Sequence, residues 1–273
     1  MSTPSIPEKL YGIIGHPLAQ TLSPLLHNWG FARFGAAAAY VAFPTPPERL
    51  TAFIQAVRTL PVAGLSVTIP HKEAVMPLLD AIAPSAQGAR AVNTLVWEEE
   101  RLVGHNTDVT GFIAPLLKRD GLKSALVLGA GGAAKAVLAG LLQIGITDIT
   151  LTNRTLERAE TLAAQFGVSA AAWEDRGGVH ADLVVNTTPM GMKGKAEEES
   201  PLPPGFWQPG QVAYDLVYNP RETLFLRQAA KGRAQVIDGL TMFAAQGVAQ
   251  FKLWTGFDLP MDEALTLLTC PSV

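Results

Sequence analysis

Short apolar runs and amphipathic stretches alternate along the whole chain. In the first hundred residues, apolar side chains at positions 50, 53, 54 and 57 predict a helix with one buried face. Other helices are predicted over residues 23–34 and 72–79. The apolar runs predict strands over residues 10–15, 40–43 and 64–69, and a strand pair over residues 92–97 and 101–105 about a Glu-rich turn.

Beyond residue 108 the alternation becomes regular. A helix over residues 111–119 precedes four predicted strands, at 125–128, 148–152, 183–186 and 212–217, with helices beginning near residues 132, 155 and 221. Strands that alternate with helices favour a parallel sheet with right-handed crossovers. Two final helices are predicted, one capped by Asp238 and one over residues 262–268. The chain is therefore predicted to be an α/β protein.

Composition narrows the class of protein and its partners. A chain of 273 residues, 48% hydrophobic and 16% charged, can bury two cores. The formal net charge of −3 gives no reason to expect nucleic acid as a partner. The single cysteine, Cys270, fits a reducing compartment. Because the N-terminus lacks a secretory signal and no apolar run reaches the ~20 residues of a membrane span, we expect a cytoplasmic protein without a membrane partner.

A glycine-rich turn follows the first strand of the second series. It reads Gly129-Ala130-Gly131-Gly132-Ala133 and opens a helix. Glycines in such a turn let the backbone approach a pyrophosphate at the helix N-terminus. A tight strand-to-helix turn without a ligand has the same pattern, so the motif alone is weak evidence.

The end of the next strand bears on the choice of cofactor. An NAD-selective site usually offers Asp or Glu there to the ribose. This chain instead has Asn153, Arg154 and, one helical turn later, Arg158. Guanidinium groups suit a 2′-phosphate, which predicts NADP. The alternative is a solvated basic helix start, although positive charge at a helix N-terminus opposes the helix dipole.

Two residues able to move protons follow apolar strands. Lys72 comes after the strand at 64–69, and Asp108 after the strand at 101–105. A lysine and a carboxylate can hold each other's charge and pass a proton to or from a substrate hydroxyl. Lys72 could equally be a surface lysine, although the dipole of a helix over 72–79 disfavours a cation there, and Asp108 could be a helix N-cap. Nearby hydroxyl and amide groups suit a polyhydroxylated or carboxylated small molecule, namely Thr21, Ser23, Ser66, Thr68, Asn93 and Thr94.

Motifs of other enzyme classes are missing from the sequence. The five histidines show no metal-ligand spacing, and with one cysteine no zinc centre is expected. Neither a Gly-x-Ser-x-Gly elbow nor a Walker loop occurs, which argues against a hydrolase or an NTPase.

Nine segments together carry a family resemblance that none of them carries alone. They are residues 21–24 (Thr-Leu-Ser-Pro), 67–72 (Val-Thr-Ile-Pro-His-Lys), 91–95 (Ala-Val-Asn-Thr-Leu), 106–108 (Asn-Thr-Asp), 129–133, 153–155 (Asn-Arg-Thr), 186–192 (Asn-Thr-Thr-Pro-Met-Gly-Met), 214–220 (Tyr-Asp-Leu-Val-Tyr-Asn-Pro) and 238–242 (Asp-Gly-Leu-Thr-Met) through Gln246. In these segments, and in their order over nearly its full length, the chain strongly resembles the shikimate dehydrogenases.

The resemblance implies a reaction and a domain plan. The reaction is the NADP-dependent reduction of 3-dehydroshikimate to shikimate, in the route to aromatic amino acids, with Lys72 giving a proton to the oxygen and Asp108 as its partner. A substrate-binding catalytic domain over 1–108 would be completed by residues 239–273, and a Rossmann NADP-binding domain would cover 109–238. The active site would be the cleft between them. We expect a small-molecule substrate and a monomer or homodimer.

The resemblance also implies roles for individual residues. Thr21 and Ser23, helped by Tyr218, would bind the substrate carboxylate, and the ring oxygens would be surrounded by Thr68, Lys72, Asn93, Asp108 and Gln246. The cofactor would contact Gly129, Ala130, Gly131, Gly132, Ala133, Asn153, Arg154, Thr155, Arg158, Thr187, Leu216, Gly239 and Met242. No metal is expected.

Three positions depart from the usual pattern of the family. Ser66 replaces a common Asn, Thr21 replaces a common Ser, and Arg90 stands where a Gly often precedes the Ala-Val-Asn-Thr segment. These departures leave the reaction class intact. They bear on substrate preference, because some relatives also oxidise quinate. Two alternatives stay open, an NAD-using quinate/shikimate dehydrogenase and a ligand-sensing relative without turnover. A sensor has no need of Lys72, Asp108 and the glycine turn together.

Overall fold

The computed structural model of the chain describes residues 6–18, 21–194 and 196–269. Cys270 and the first five residues, on which the expectations about redox compartment and secretion partly rest, lie outside the described residues. The chain divides into two compact units: unit 1 is Met1–Thr107 with Ala244–Val273, and unit 2 is Asp108–Phe243. None of the described helices is both long and apolar enough to span a bilayer. That unit 1 binds the substrate and unit 2 the cofactor stays a prediction.

Unit 1 is built on a mixed six-stranded sheet. Its strands are β1 Lys9–Gly15, β2 Ala38–Pro44, β3 Val62–Val67, β4 Ala81–Ile82, β5 Thr94–Glu98 and β6 Arg101–His105, in the order β2-β1-β3-β5-β6-β4. Strand β1 pairs in parallel with β2 and β3, while β5 and β6 form the antiparallel pair predicted about the Glu-rich turn. The helices of this part are α1 Ser23–Arg33, α2 Leu50–Val57, α3 His71–Ala74 and α4 Pro84–Ala89.

The C-terminal part of the chain completes the core of unit 1. It contains most of α9 (Gly239–Thr255) and all of α10 (Met261–Thr269). The rings of Phe251 and Phe31 lie 5.3 Å apart, and Trp254 Nε1 donates to the carbonyl of Leu95 at 3.0 Å. A Cβ atom added at Gly64 would lie 2.4 Å from Trp254 Nε1, so the indole packs directly on the backbone of β3.

Unit 2 is a doubly wound parallel sheet. Its strands are β7 Ser124–Leu128, β8 Asp148–Asn153, β9 Ser169–Ala172, β10 Leu183–Asn186, β11 Val212–Asp215 and β12 Gln235–Ile237, in the order β12-β11-β10-β7-β8-β9. All five strand pairings are parallel, and the order is that of a dinucleotide-binding Rossmann fold. The helices are α5 Asp108–Ile113, α6 Gly132–Gln143, α7 Leu156–Phe166 and α8 Leu224–Lys231. Apolar clusters cover both faces of the sheet.

Two predicted helices are wrong in their extent. The helix predicted over 72–79 is the four-residue α3, followed by a 3-10 turn at Met76–Leu78. Pro77 has no amide proton for an α-helical bond, so the helix cannot continue through it. The helix predicted over 111–119 begins three residues earlier, at Asp108, and ends at Ile113, just before Pro115.

Candidate active site

The glycine turn lies where β7 meets α6. Gly129 has φ +106°, which L side chains rarely adopt, and a Cβ atom there would lie 2.7 Å from Thr187 Oγ1. The Gly129 N–H donates to the carbonyl of Thr152 at 2.7 Å, which ties the turn to the end of β8. A residue other than glycine would be strained at this position.

The start of α6 fits a phosphate group. A Cβ atom at Gly131 or at Gly132 would meet no heavy atom within 4 Å, so the space beside these two glycines is open in the direction of a side chain. The helix has twelve residues, and its N-cap, Gly131, provides no side-chain acceptor to its first N–H groups. Uncapped N–H groups and the helix dipole together favour an anion there.

Thr187 and Leu216 lie at the ends of the neighbouring strands. Thr187 Oγ1 donates to the carbonyl of Leu128 at 2.8 Å, beside the glycine turn. A Cβ atom at Gly239 would lie 2.7 Å from the carbonyl oxygen of Leu216, so only glycine allows this close approach. Met242 is buried in the same apolar cluster against which Leu216 packs.

The predicted basic corner forms at the start of α7. Asn153 Nδ2 donates to the carbonyl of Thr155 at 3.0 Å, which closes the turn between β8 and the helix. Arg154 is exposed on this turn, and Arg158 is exposed on the first turn of the helix. Glu157 is the acidic residue of the first turn. Two solvent-accessible guanidinium groups are therefore available to an anion at this corner.

Several of the predicted substrate residues of unit 1 lie at the ends of its central strands. The Thr68 N–H donates to the carbonyl of Ile14 at 2.9 Å, and a Cβ atom at Gly15 would lie 2.4 Å from Thr68 Cγ2. The carbonyl of Lys72 accepts a hydrogen bond from the Val92 N–H at 2.8 Å, which places the Lys72 backbone beside Asn93.

Asn93 is hydrogen-bonded to the segment that leads into Asp108. Its Nδ2 donates to Thr107 Oγ1 at 3.0 Å, and its Oδ1 accepts from the Thr107 N–H at 2.8 Å. Asn106 Nδ2 donates to the carbonyl of Ala91 at 2.8 Å. Asp108 follows directly, 8% exposed, as the first residue of α5. Thr68, Lys72, Asn93 and Thr107 thus lie within one hydrogen-bonded region of unit 1.

Two hydroxyl groups stand together at the start of α1. Thr21 Oγ1 donates to Ser23 Oγ at 3.2 Å and accepts from the Ser23 N–H at 3.3 Å. Of the remaining predicted substrate residues, Tyr218 belongs to unit 2, where its ring lies 5.1 Å from that of Phe243 and burial raises the pKa of its hydroxyl. Gln246 lies on the part of α9 that belongs to unit 1.

Sequence reasoning assigned no role to a buried polar cluster at the ends of β10 and β11. Asn186 Nδ2 donates to Asp215 Oδ1 at 2.9 Å, and Thr188 Oγ1 donates to Asn186 Oδ1 at 2.7 Å. Asp215 also accepts from Thr223 Oγ1 at 2.5 Å and from the Val217 N–H at 3.0 Å. Burial raises the pKa of Asp215 to about 7, although these three hydrogen bonds oppose the rise. The cluster ties together the two loops that carry Thr187 and Leu216.

The structure gives a physical account of the Arg90 departure. Arg90 ends α4 with φ 51° and ψ 32°, the left-handed conformation that glycine adopts without steric cost. A glycine at this position would meet the same backbone requirement. Ser66, another of the three departures, is buried and hydrogen-bonded to Tyr40 and Gln250. Among the described residues, no group of three or more His, Asp or Glu side chains is placed to hold a metal ion.

Comparison with protein families gives matches in both units. The model of the shikimate dehydrogenase substrate binding domain matches residues 13–95, and that of shikimate / quinate 5-dehydrogenase matches residues 117–182. The shikimate 5'-dehydrogenase C-terminal domain matches residues 239–264.

Comparison with individual proteins gives matches over nearly the whole chain. The shikimate dehydrogenase (NADP(+)) of Oleidesulfovibrio alaskensis is 55% identical over 98% of this chain and 97% of its own. The shikimate 5-dehydrogenase of Thermus thermophilus, solved with NADP(H) and shikimate, is 39% identical with a TM-score of 0.85, over 94% of this chain and 98% of its own. The quinate dehydrogenase of Corynebacterium glutamicum, solved with NAD, is 30% identical with a TM-score of 0.89, over 97% of this chain and 99% of its own. The chain belongs to the shikimate dehydrogenase family.

Proposed function

We propose that Lys72 and Asp108 handle the proton while this chain reduces 3-dehydroshikimate reversibly to shikimate in aromatic amino acid biosynthesis. The activity itself follows from the family: the chain is an NADP-dependent shikimate dehydrogenase, an oxidoreductase acting on a CH–OH group. The observation that carries it is the 55% identity, over nearly both full lengths, to an enzyme named for shikimate and NADP(+).

The substrate residues divide into two chemical groups. The paired hydroxyls of Thr21 and Ser23, with that of Tyr218, donate to the substrate carboxylate. The ring oxygens are held by Thr68, Asn93 and Gln246, whose hydroxyl and amide groups can both donate and accept. What supports this division is the local geometry: Thr21 and Ser23 touch each other, and Thr68 and Asn93 both lie at strand ends of one sheet.

Lys72 is the proposed acid for reduction and Asp108 its partner. An ammonium group gives a proton to the carbonyl oxygen as negative charge develops there, and a carboxylate beside it orients the ammonium group and stabilises its charged form. The Lys72 carbonyl accepts a hydrogen bond from the Val92 N–H. Asp108 follows Thr107, whose N–H donates a hydrogen bond to Asn93 Oδ1. Both residues are therefore anchored, through their neighbours, to the segment of Val92 and Asn93 that leads into β5.

The cofactor site uses the residues of unit 2. When bound, NADPH supplies the hydride for the reduction. The turn of Gly129, Ala130, Gly131, Gly132 and Ala133 is proposed to hold the pyrophosphate, because the space before α6 and its uncapped N–H groups suit an anion. Asn153, Arg154, Thr155 and Arg158 would hold the adenosine end with its 2′-phosphate. The remaining part of the cofactor site would be lined by Thr187, Leu216, Gly239 and Met242.

Unit 1 is proposed as the substrate-binding unit and unit 2 as the NADP-binding unit. The family model for residues 13–95 and the strand order of unit 2 support this division. We further propose that the protein works in the cytoplasm, which its single cysteine supports, and that it is a monomer or homodimer.

An oxidation assay with both substrates and both cofactors tests the function. The expected result is oxidation of shikimate with NADP, with a lower kcat/KM for quinate or for NAD. The similarity to an NAD-bound quinate dehydrogenase makes an NAD-using quinate/shikimate dehydrogenase the second candidate. A higher kcat/KM for quinate with NAD would establish that candidate instead, and absence of oxidation with all four combinations would refute both.

A further inference from the structure

A buried chain of hydrogen bonds runs through unit 1 to Asn93. Its members Tyr40, Ser66, Gln250 and Thr94 are each at most 4% exposed. The Tyr40 hydroxyl donates to Ser66 Oγ at 2.6 Å, and Ser66 Oγ donates to Gln250 Oε1 at 2.9 Å. Gln250 Nε2 donates to Thr94 Oγ1 at 2.9 Å, and Thr94 Oγ1 donates to Asn93 Oδ1 at 2.7 Å. Side chains so deeply buried act on a substrate through their neighbours.

Two backbone groups fix the direction of this chain. Gln250 Nε2 also donates to the carbonyl of Asn93 at 3.2 Å, so the nitrogen of the Gln250 amide faces this strand and its oxygen faces Ser66. The Thr107 N–H donates to Asn93 Oδ1, so the oxygen of the Asn93 amide faces Thr107. A carbonyl only accepts and an N–H only donates. Neither amide can therefore turn over without leaving buried polar groups unsatisfied.

The other end of the chain is the hydroxyl of Tyr40, which donates to Ser66. The His27 ring stacks on Tyr40 with a centroid distance of 4.6 Å, and complete burial lowers the pKa of His27 to about 3, so this ring stays neutral. The chain therefore runs from the stacked Tyr40 ring to Asn93, proposed for the ring oxygens.

We propose that Gln250 and its partners Ser66, Tyr40 and Thr94 are positioning residues that hold the Asn93 side chain in the orientation the substrate requires. This role rests on the proposed function of Asn93. It also explains Ser66, which stands where the family often has Asn. The Ser66 hydroxyl already lies at hydrogen-bond distance from Gln250 Oε1, so a longer side chain would displace Gln250. Ser66 and Gln250 thus form a matched pair.

The test begins with Thr94→Val, which removes the hydroxyl between Gln250 and Asn93 while conserving shape. We expect KM for shikimate to rise by about five- to tenfold and KM for NADP to stay within about twofold. Thr255→Val is the matched control on α9. There the hydroxyl donates to the Phe251 carbonyl and accepts from the Phe257 N–H, away from the chain, and both KM values should stay unchanged.

A double-mutant cycle then distinguishes positioning from a general structural effect. If the chain acts through Asn93, Thr94→Val should change kcat/KM for shikimate by less than about twofold in an Asn93→Ala background. Equal effects in both backgrounds, or equal rises in KM for shikimate and NADP, would overturn the proposal. So would an Asn93→Ala enzyme with an unchanged KM for shikimate.

Gln250→Met is a second variant for the same question. It conserves length and removes both ends of the amide, and it should raise KM for shikimate selectively, as Thr94→Val does. It decides the matter if Thr94→Val does not fold, and a Gln250→Met enzyme with wild-type KM values would refute the positioning role. Failure of the wild-type enzyme to oxidise shikimate would instead refute the proposed function.

Discussion

At the scale of single residues, a backbone hydrogen bond fixes the position of Lys72. It belongs to the four-residue α3, and its carbonyl accepts from the Val92 N–H. The sequence predicts a longer helix here, whose dipole would oppose a cation at this position. That argument no longer applies, because so short a helix has almost no dipole. The argument for Lys72 now rests on the position of its backbone beside Val92 and Asn93, which lead into β5.

Replacing Lys72 with alanine should therefore affect chemistry far more than binding. We expect kcat for shikimate oxidation to fall by about 10²-fold or more, the usual scale for losing a positioned acid or base, while KM changes far less. Lys118→Ala, at an exposed lysine of unit 2, is the control. A Lys72→Ala enzyme with nearly normal kcat would remove Lys72 from the mechanism.

Asp215 should make the stability of the protein depend on pH. Its folded-state pKa, about 7, lies above the usual value of about 3.9 in an unfolded chain. The folded state therefore binds a proton more tightly, and its stabilisation is fully present below about pH 4 and is lost as pH rises through about 7. Between these values wild type should lose stability relative to Asp215→Asn by up to ~1.4 kcal/mol per pH unit. Urea midpoints at several pH values measure this, and parallel profiles for the two proteins would contradict it.

Which site residues the sequence could reveal depended on their separation along the chain. Thr68, Lys72, Asn93 and Asp108 each lie within a predicted strand or helix near its end, or shortly after one, so local pattern and resemblance could single them out. Gln250 could not be found in this way, because its partner Ser66 lies 184 residues away. Its role depends on contacts that only the folded chain creates.

At the scale of elements, apolar content decided what the sequence could predict. The largely buried strands β7 and β10 were predicted nearly to the residue, because their runs are apolar and end in turn signals. The missed strands β4, β9 and β12 are two, four and three residues long, and none of them is a continuous buried apolar run. The missed α4 is short and carries Ser, Gln and Gly, which conceal its period.

The end of β8 and the start of α7 should set the choice of cofactor. Arg154 and Arg158 are exposed there, and each charge-assisted hydrogen bond to a 2′-phosphate contributes about 1.5–3 kcal/mol. Even one such bond gives about a tenfold preference, so NADP should be favoured over NAD by one to a few orders of magnitude. Replacing both arginines with alanine should raise KM for NADP strongly and leave KM for NAD nearly unchanged.

A matched control for this experiment is Arg176→Ala. Arg176 belongs to the same unit but stacks on the Trp173 ring and donates to the carbonyl of Pro201, so it is held by its own surroundings. It should leave the ratio of kcat/KM for NADP and NAD unchanged. Equal kcat/KM values for the two cofactors in the wild-type enzyme would defeat the assignment of the arginines.

At the scale of the whole molecule, unit 1 is discontinuous in sequence. Residues 244–273 return to residues 1–107 after the whole of unit 2 has been completed. Phe251 and Trp254 pack on the N-terminal part, and Gln250 extends the buried hydrogen bonds to Ser66 and Thr94. The core of unit 1 and the positioning of Asn93 thus depend on the last part of the chain.

Truncation after Phe243 tests this dependence, because it leaves unit 2 whole and removes only the C-terminal part of unit 1. Loss of a large buried aromatic such as Phe251 costs about 3–5 kcal/mol, and the partly buried Trp254 is lost with it. This loss is a large part of the ~5–15 kcal/mol stability of a domain. The truncated chain should fail to bind shikimate in calorimetry and should bind a hydrophobic dye through newly exposed apolar surface, while NADP binding persists. A soluble truncated chain that still bound shikimate would show that residues 1–107 form the substrate site without the C-terminal helices.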